Sequence, residues 1–113
     1  MSYDATAGSI TTAGDNKGNT YTAIGTAQAD GAGGLQRWYV CENGTGGAGH
    51  TFTFTTSGNN FGVAHLFEVT SDAGGIARLD INAQGTAAAQ PWAAVATGTL
   101  NYANEVILAG VAC

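Results

Sequence analysis

The two cysteines are the residues whose chemistry the sequence leaves most open. Cys41 follows an aromatic run, and Cys113 stands at the end of the sequence, after an apolar segment. An intrachain disulfide, a bridge between chains and free thiols are all compatible with this spacing. A terminal cysteine can reach a neighbouring subunit, and a bridge would form after export or lysis. An interchain disulfide through Cys41 and Cys113 is the first expectation, and the other two interpretations stay open.

Neither histidine lies in a metal-binding pattern. A zinc site gathers three or four nitrogen, sulfur or oxygen ligands, often with close cysteine and histidine spacing. His50 and His65 have no cysteine within eight residues in sequence. We therefore expect structural or solvent-facing histidines, no metal site and no cofactor.

Acidic residues lie in or near predicted turns, where carboxylates often accept hydrogen bonds from their own backbone. They are Asp15, Asp30, Asp72 and Asp80. A calcium site is the alternative, because turns of β-sandwiches can gather oxygen ligands. Asp15, Asn16 and Asn19 form the best cluster for it.

No catalytic motif is found. Nucleophilic catalysis needs a serine, threonine or cysteine beside a histidine that a carboxylate orients, and no G-x-S-x-G elbow is present. We expect no enzyme and no catalytic residues. Among the aromatic side chains, Trp38 is expected in the core, whereas Trp92 and Tyr102 are candidate surface contacts for a protein or a sugar.

These residues must be positioned by short β-strands. Eighteen glycines and one proline punctuate segments rich in Thr, Val, Ile and aromatic residues, which is typical of strands joined by turns. In the run 50–56, alternation predicts Phe52 and Phe54 inside and threonines outside. The segment 20–24 is predicted to form a hairpin with 8–12. The other predicted strands are 35–41, 61–69, 79–83 and 105–112, with 87–95 ambiguous.

The sequence thus predicts an all-β fold, a single antiparallel β-sandwich of seven or eight short strands that spans residues 1–113 as one domain. Charged residues make up only 10%, and three basic residues oppose eight acidic ones, for a net charge of −5. Nucleic acid and anionic membranes are therefore disfavoured as partners. The N-terminus lacks the features of a signal peptide, and no apolar run is long enough for a membrane span.

The order of several motifs resembles a β-sandwich domain, Ig-like or jelly-roll-like, that recurs in bacterial surface proteins and phage virion proteins. Those domains carry a D-x-x-G-N-T-Y-T turn, a W-Y strand, a T-V-T-V-T strand and an A-x-E-L-L strand. The matching segments here are 15–22, 38–39, 51–54, 67–69, 79–80 and 104–108. The leading strand and the closing hairpin of the pattern are absent, which predicts an edge that another subunit completes by strand addition.

Together with the low charge and the terminal cysteine, this resemblance implies a structural protein of a virion, with a bacteriophage capsid decoration or head-surface protein as the first expectation. Its expected partners are other copies of itself or a capsid protein, and its expected location is the virion, after synthesis in the host cytoplasm. Two alternatives remain, namely a carbohydrate-binding or adhesive module of an extracellular bacterial protein, and a subunit of a self-assembling extracellular filament.

Overall fold

The computed structural model describes residues 10–29, 35–57, 63–70, 75, 77–85, 94–102 and 105–110. This part of the chain contains four antiparallel strands in two sheets and no helix, so the all-β prediction is confirmed. Within the same residues no helix has the length and apolar character to cross a membrane.

The strands are β1 (Ile10–Asp15), β2 (Thr22–Ala29), β3 (Leu35–Val40) and β4 (Phe52–Thr56). β1 pairs with β4, and β2 pairs with β3. Residues 16–21 and 41–51 are therefore crossovers between the two sheets. Asp15 pairs with Phe52, and Thr22 pairs with Val40, so both crossovers join the sheets at the same end.

The predicted hairpin between 8–12 and 20–24 is wrong, because β1 pairs with β4 and β2 with β3. A hairpin turn would reverse the chain within one sheet. Here the Asp15 side chain folds the turn onto itself, through hydrogen bonds from the backbone N–H groups of Lys17 and Asn19. The chain then leaves the sheet of β1 and enters the other one.

The predicted strands in the second half of the chain are not formed in the residues that the structure describes. Segments 63–70, 77–85 and 105–110 carry no strand pairing. Segments 77–85 and 94–102 nevertheless approach each other in antiparallel order. A Cβ on Gly85 would lie 2.6 Å from Val95 Cγ2, one on Gly98 would lie 3.5 Å from Ile81 Cδ1, and Asn101 N donates to Asp80 Oδ2 at 2.9 Å.

A bulge in β2 is held by a glutamine from the second half of the chain. The register shifts between Ile24 and Gln28, and Gly25 there has a φ of 60°. Gln84 bonds to both backbone groups of Thr26, with Oε1 accepting from N at 3.0 Å and Nε2 donating to O at 2.8 Å. The Gln84 side-chain amide thus pairs with the backbone of Thr26 as a neighbouring strand would, at a position where β2 has no strand partner.

Packing around the sheets is incomplete within the described residues. Every residue of β3 is half-buried, and Trp38 stacks on Phe67 with ring centroids 6.1 Å apart. The prediction that Phe52 and Phe54 are buried is wrong, since they are 41% and 37% exposed. Within the described residues the other sheet does not pack closely on theirs, since β1 and β4 contact chiefly each other, as do β2 and β3.

Gly25→Ala is expected to destabilise the fold by about 1–3 kcal/mol, because the new Cβ displaces Gln84 and requires a left-handed backbone. The Cβ would clash with Gln84 Oε1. Gly46→Ala is the matched control, since nothing lies within 4 Å of its Cβ position. Urea unfolding measures both variants, and equal stability of the two would contradict the proposed role of Gln84.

Candidate functional site

The Asp15 carboxylate is the centre of the densest polar cluster in the described chain. Its Oδ1 accepts hydrogen bonds from Lys17 N at 2.9 Å and from Asn19 N at 3.1 Å. Its Oδ2 accepts from Asn19 Nδ2 at 2.6 Å and from the Tyr21 hydroxyl at 2.6 Å, and lies 2.8 Å from His50 Nε2. We call Asp15, Asn19, Tyr21 and His50 the Asp15 cluster. The Asp15 side chain is 0% exposed, so these partners replace water completely.

Hydrogen bonding decides the ionisation of this cluster. Burial alone would raise the pKa of Asp15, since a desolvated carboxyl favours its neutral form. Hydrogen bonds from Tyr21, Asn19 and His50 outweigh that effect and hold the pKa of Asp15 well below its usual range. Burial and the adjacent Asp15 carboxylate raise the pKa of Tyr21 to about 12. At neutral pH the carboxylate is ionised and the phenol is protonated.

The same turn docks on the second crossover through two asparagines. Asn19 Nδ2 donates to Thr45 O at 2.9 Å, and Asn19 Oδ1 accepts from Thr45 N at 2.7 Å. Asn16 Nδ2 donates to Gly49 O at 2.8 Å, and Asn16 Oδ1 accepts from Thr51 N at 3.0 Å. Each side-chain amide therefore satisfies backbone groups that no strand pairs, which joins the two crossovers.

Two aromatic contacts to Phe52 flank the Asp15 cluster on the side of β4. The His50 ring stacks on Phe52 with centroids 4.3 Å apart, and Tyr21 meets Phe52 edge to face at 6.3 Å. The Phe52 ring face on one side and the Asp15 carboxylate on the other orient the His50 imidazole. His50 is thus placed by the fold, as the expectation of a structural histidine requires.

The geometry of the cluster is that of a structural joint. A carboxylate offers about four lone-pair positions, and Asp15 already has five polar neighbours. The side-chain oxygens of Asn16 and Asn19 accept from backbone N–H groups. A calcium ion would have to break these bonds, so the arrangement favours hydrogen bonding in the turn over the calcium alternative. Within the described residues, no three His, Cys, Asp or Glu side chains group as metal ligands.

A second, smaller carboxylate joint lies between the segments 77–85 and 94–102. Asp80 accepts from Asn101 N at 2.9 Å and from Asn101 Nδ2 at 2.5 Å. These two bonds lower the pKa of Asp80. The Glu105 carboxylate accepts from Tyr102 N at 2.9 Å. The sequence predicted Asp80 in or near a turn. In the structure Asp80 links the segments 77–85 and 94–102.

A shallow open depression of about 400 Å³ lies beside the first crossover, lined by Thr20, Thr22, Val40, Glu42 and Leu79. Its one carboxylate, Glu42, accepts from Leu79 N at 3.1 Å. The lining therefore offers a backbone contact between segments rather than converging polar groups for a ligand.

The candidate contact residues fall partly within the described chain. Cys41 is a half-buried free thiol, and a Cβ on Gly44 would lie 3.1 Å from its sulfur. Tyr102 is 72% exposed. Cys113 and Trp92 lie outside the described residues. The structure does not bring Cys41 and Tyr102 into one site, and the disulfide and the contact roles stay predictions.

Comparisons with protein-family models, with curated proteins and with solved structures find no match to this chain. The resemblance to β-sandwich domains of surface and virion proteins therefore stays a prediction.

Asp15→Asn is expected to lower Tm by more than about 5 °C, because an N–H group would then face the donors of the cluster. Lys17→Met is the matched control, since it removes only the exposed bond from Lys17 Nζ to Ala48 O, of 3.1 Å. Calorimetry measures both variants. A Tm for Asp15→Asn within a degree or so of the control would contradict the role assigned to the cluster.

Tyr21→Phe is expected to reduce the loss of stability at alkaline pH. The folded pKa of about 12 lies above the ordinary tyrosine pKa of 10.0, so the protonated phenol stabilises the fold below pH 10. This contribution falls as the pH rises from about 10 to about 12. Urea unfolding across this range should show a shallower decline for Tyr21→Phe than for wild type. Tyr102→Phe, outside the cluster, should keep the wild-type slope, and a wild-type slope for Tyr21→Phe would contradict the account.

Proposed function

We propose that this chain is a non-enzymatic structural protein of a virion, a bacteriophage capsid decoration or head-surface protein. It stabilises the shell through contacts with other copies of itself or with a capsid protein. The observation that carries the proposal is the number of large apolar side chains left exposed. They are Phe52, Phe54, Val63, Leu66, Phe67, Val69, Leu79, Val95, Tyr102, Val106, Ile107 and Leu108.

Such exposure suits assembly, since apolar side chains in contact with water are stabilised when a partner covers them. Burial of apolar area contributes about 25 cal/mol per Å², and a standard interface buries about 800 Å² on each partner. Every subunit added to a shell would supply this stabilisation again. Partner binding to the assembled state shifts the shell equilibrium toward the intact particle.

The polar chemistry of the described residues supports the same proposal. The buried Asp15 carboxylate has all its positions occupied by hydrogen-bond partners, so it has no free oxygen for acid or base work. Charged residues are 10% of the sequence, which leaves few charges on the exterior. We further propose that the seven- or eight-stranded β-sandwich is the form of this chain within the assembly, where described segments without strand pairing, such as 63–69, gain strand partners.

Immunogold electron microscopy with antibodies against the purified chain tests this function on virus particles and cell envelopes from the source culture. We expect gold on particle heads. Particles from a strain in which the gene is deleted are the control, and they should lack label and release their contents at a lower temperature. Label confined to cell envelopes, with none on purified particles, would overturn the proposal in favour of an adhesive module.

A further inference from the structure

The second crossover begins with a turn that holds an asparagine followed by a glycine, Asn43-Gly44, the one Asn-Gly pair in the sequence. Glu42 and Asn43 are turn residues, and the Asn43 side chain is exposed. Asn43 has a φ of 57°, and no other residue of the described chain except glycine has a positive φ. Asparagine adopts this left-handed conformation more readily than most residues, but at some cost in strain. The turn therefore depends on a strained residue in contact with solvent.

An asparagine side chain can react with the backbone that follows it. The nitrogen of the next residue attacks Cγ, the new N–C bond closes a cyclic imide, and the bond from Cγ to Nδ2 breaks. Ammonia leaves with the proton of the attacking nitrogen, and water then opens the imide to aspartate or isoaspartate. Both reacting groups belong to one chain, so the rate depends on how freely they meet. A following glycine helps, because it has no side chain and a permissive backbone.

Hydrogen bonds hold the asparagines of the first crossover away from this reaction. Asn19 Nδ2 donates to Asp15 Oδ2 at 2.6 Å. The nitrogen that would attack Asn16 is Lys17 N, which donates to Asp15 Oδ1 at 2.9 Å. Both side-chain amides are also bonded to the backbone of the second crossover. In contrast, the Asn43 amide makes no hydrogen bond within the described residues, so it is free to rotate toward the backbone.

Asn82 separates the effect of exposure from the effect of the following glycine. It is exposed, and its amide likewise lacks a hydrogen bond in the described part of the chain. Its successor is Ala83, whose methyl group restricts the backbone that must reach the side chain. Asn82 is therefore the control that the chain itself supplies for Asn43.

We propose that Asn43 is a site of spontaneous deamidation, and that its isoaspartate form weakens the contact between the two crossovers. Two residues further on, Thr45 N donates to Asn19 Oδ1 at 2.7 Å and Thr45 O accepts from Asn19 Nδ2 at 2.9 Å. An isoaspartate routes the main chain through the side chain and so adds one carbon just before this contact. Asn19 also donates to Asp15, so the displacement reaches the Asp15 cluster.

The turn has little room for the longer backbone. A Cβ on Gly44 would lie 3.1 Å from Cys41 Sγ, so this side of the turn is closely packed. The product also places a new carboxylate next to Glu42, in a chain whose net charge is already −5. Both effects disfavour the folded form of the product. The site does not depend on the proposed virion role.

Peptide mapping of the aged full chain measures the reaction at each asparagine. The folded protein is kept in warm, mildly alkaline buffer, and trypsin then releases the peptide 38–78. Tandem mass spectrometry locates the modified residue and distinguishes isoaspartate from aspartate. We expect Asn43 to convert at least about tenfold faster than Asn82. Equal rates at these two residues would overturn the proposal, as would a folded Asn43 that reacts more than about tenfold slower than in urea.

Urea unfolding of the isoaspartate form, separated by ion exchange, tests the effect on the crossovers. Its unfolding equilibrium constant should be about tenfold higher than that of the fresh protein. Asn43→Gly removes the reacting side chain and suits a φ of 57°, so it should keep its stability on ageing. Fresh Asn43→Asp adds the charge without the extra carbon and should lose less stability than the isoaspartate form. An isoaspartate form as stable as fresh protein, or an equal loss in aged Asn43→Gly, would overturn the proposed weakening.

Discussion

One buried carboxylate determines how the first half of this chain is arranged. Asp15 ends β1 and accepts hydrogen bonds from its own turn, from Tyr21 just before β2 and from His50 before β4. These partners belong to both crossovers, so the two connections are tied at one end of the sheets. Burying the Asp15 carboxylate without hydrogen-bond donors would cost much free energy. The donors from both crossovers must therefore be in place together when the carboxylate is buried.

The Asp15 cluster pairs polar groups, but many apolar side chains of the described chain stay exposed. The polar groups near Asp15 pair with one another, whereas β4 and the segment 105–110 expose their apolar residues. Hydrogen bonds fix the geometry of the crossovers, and they do not cover the sheets. Burying that apolar surface would release further free energy, and the proposed role in assembly rests on this.

In the first half of the chain, local sequence patterns predicted the strands better than their partners, whereas the predicted strands 61–69, 79–83 and 105–112 are not formed in the described residues. Alternation placed strands at 35–41 and 50–56, close to β3 and β4, and the Asp-Asn-Lys-Gly-Asn run predicted the turn. The pairing of β1 with β4 brings His50 to Asp15 across 35 positions, and no local pattern encodes such a distance. Gln84 and Thr26 meet across 58 positions, so their contact was equally hidden. Burial of Phe52 and Phe54 was predicted wrongly because alternation tells which side chains share a face, and not whether another layer covers that face.

The most direct test of this account is a carbon-13 titration of the Asp15 carboxyl by NMR in the intact chain. If Tyr21, Asn19 and His50 hold the ionised form, Asp15 stays deprotonated well below the ordinary aspartate pKa of about 3.9, until the protein unfolds in acid. An Asp15 that takes up its proton near that ordinary value, with the fold intact, would contradict the claim that this carboxylate joins the two crossovers.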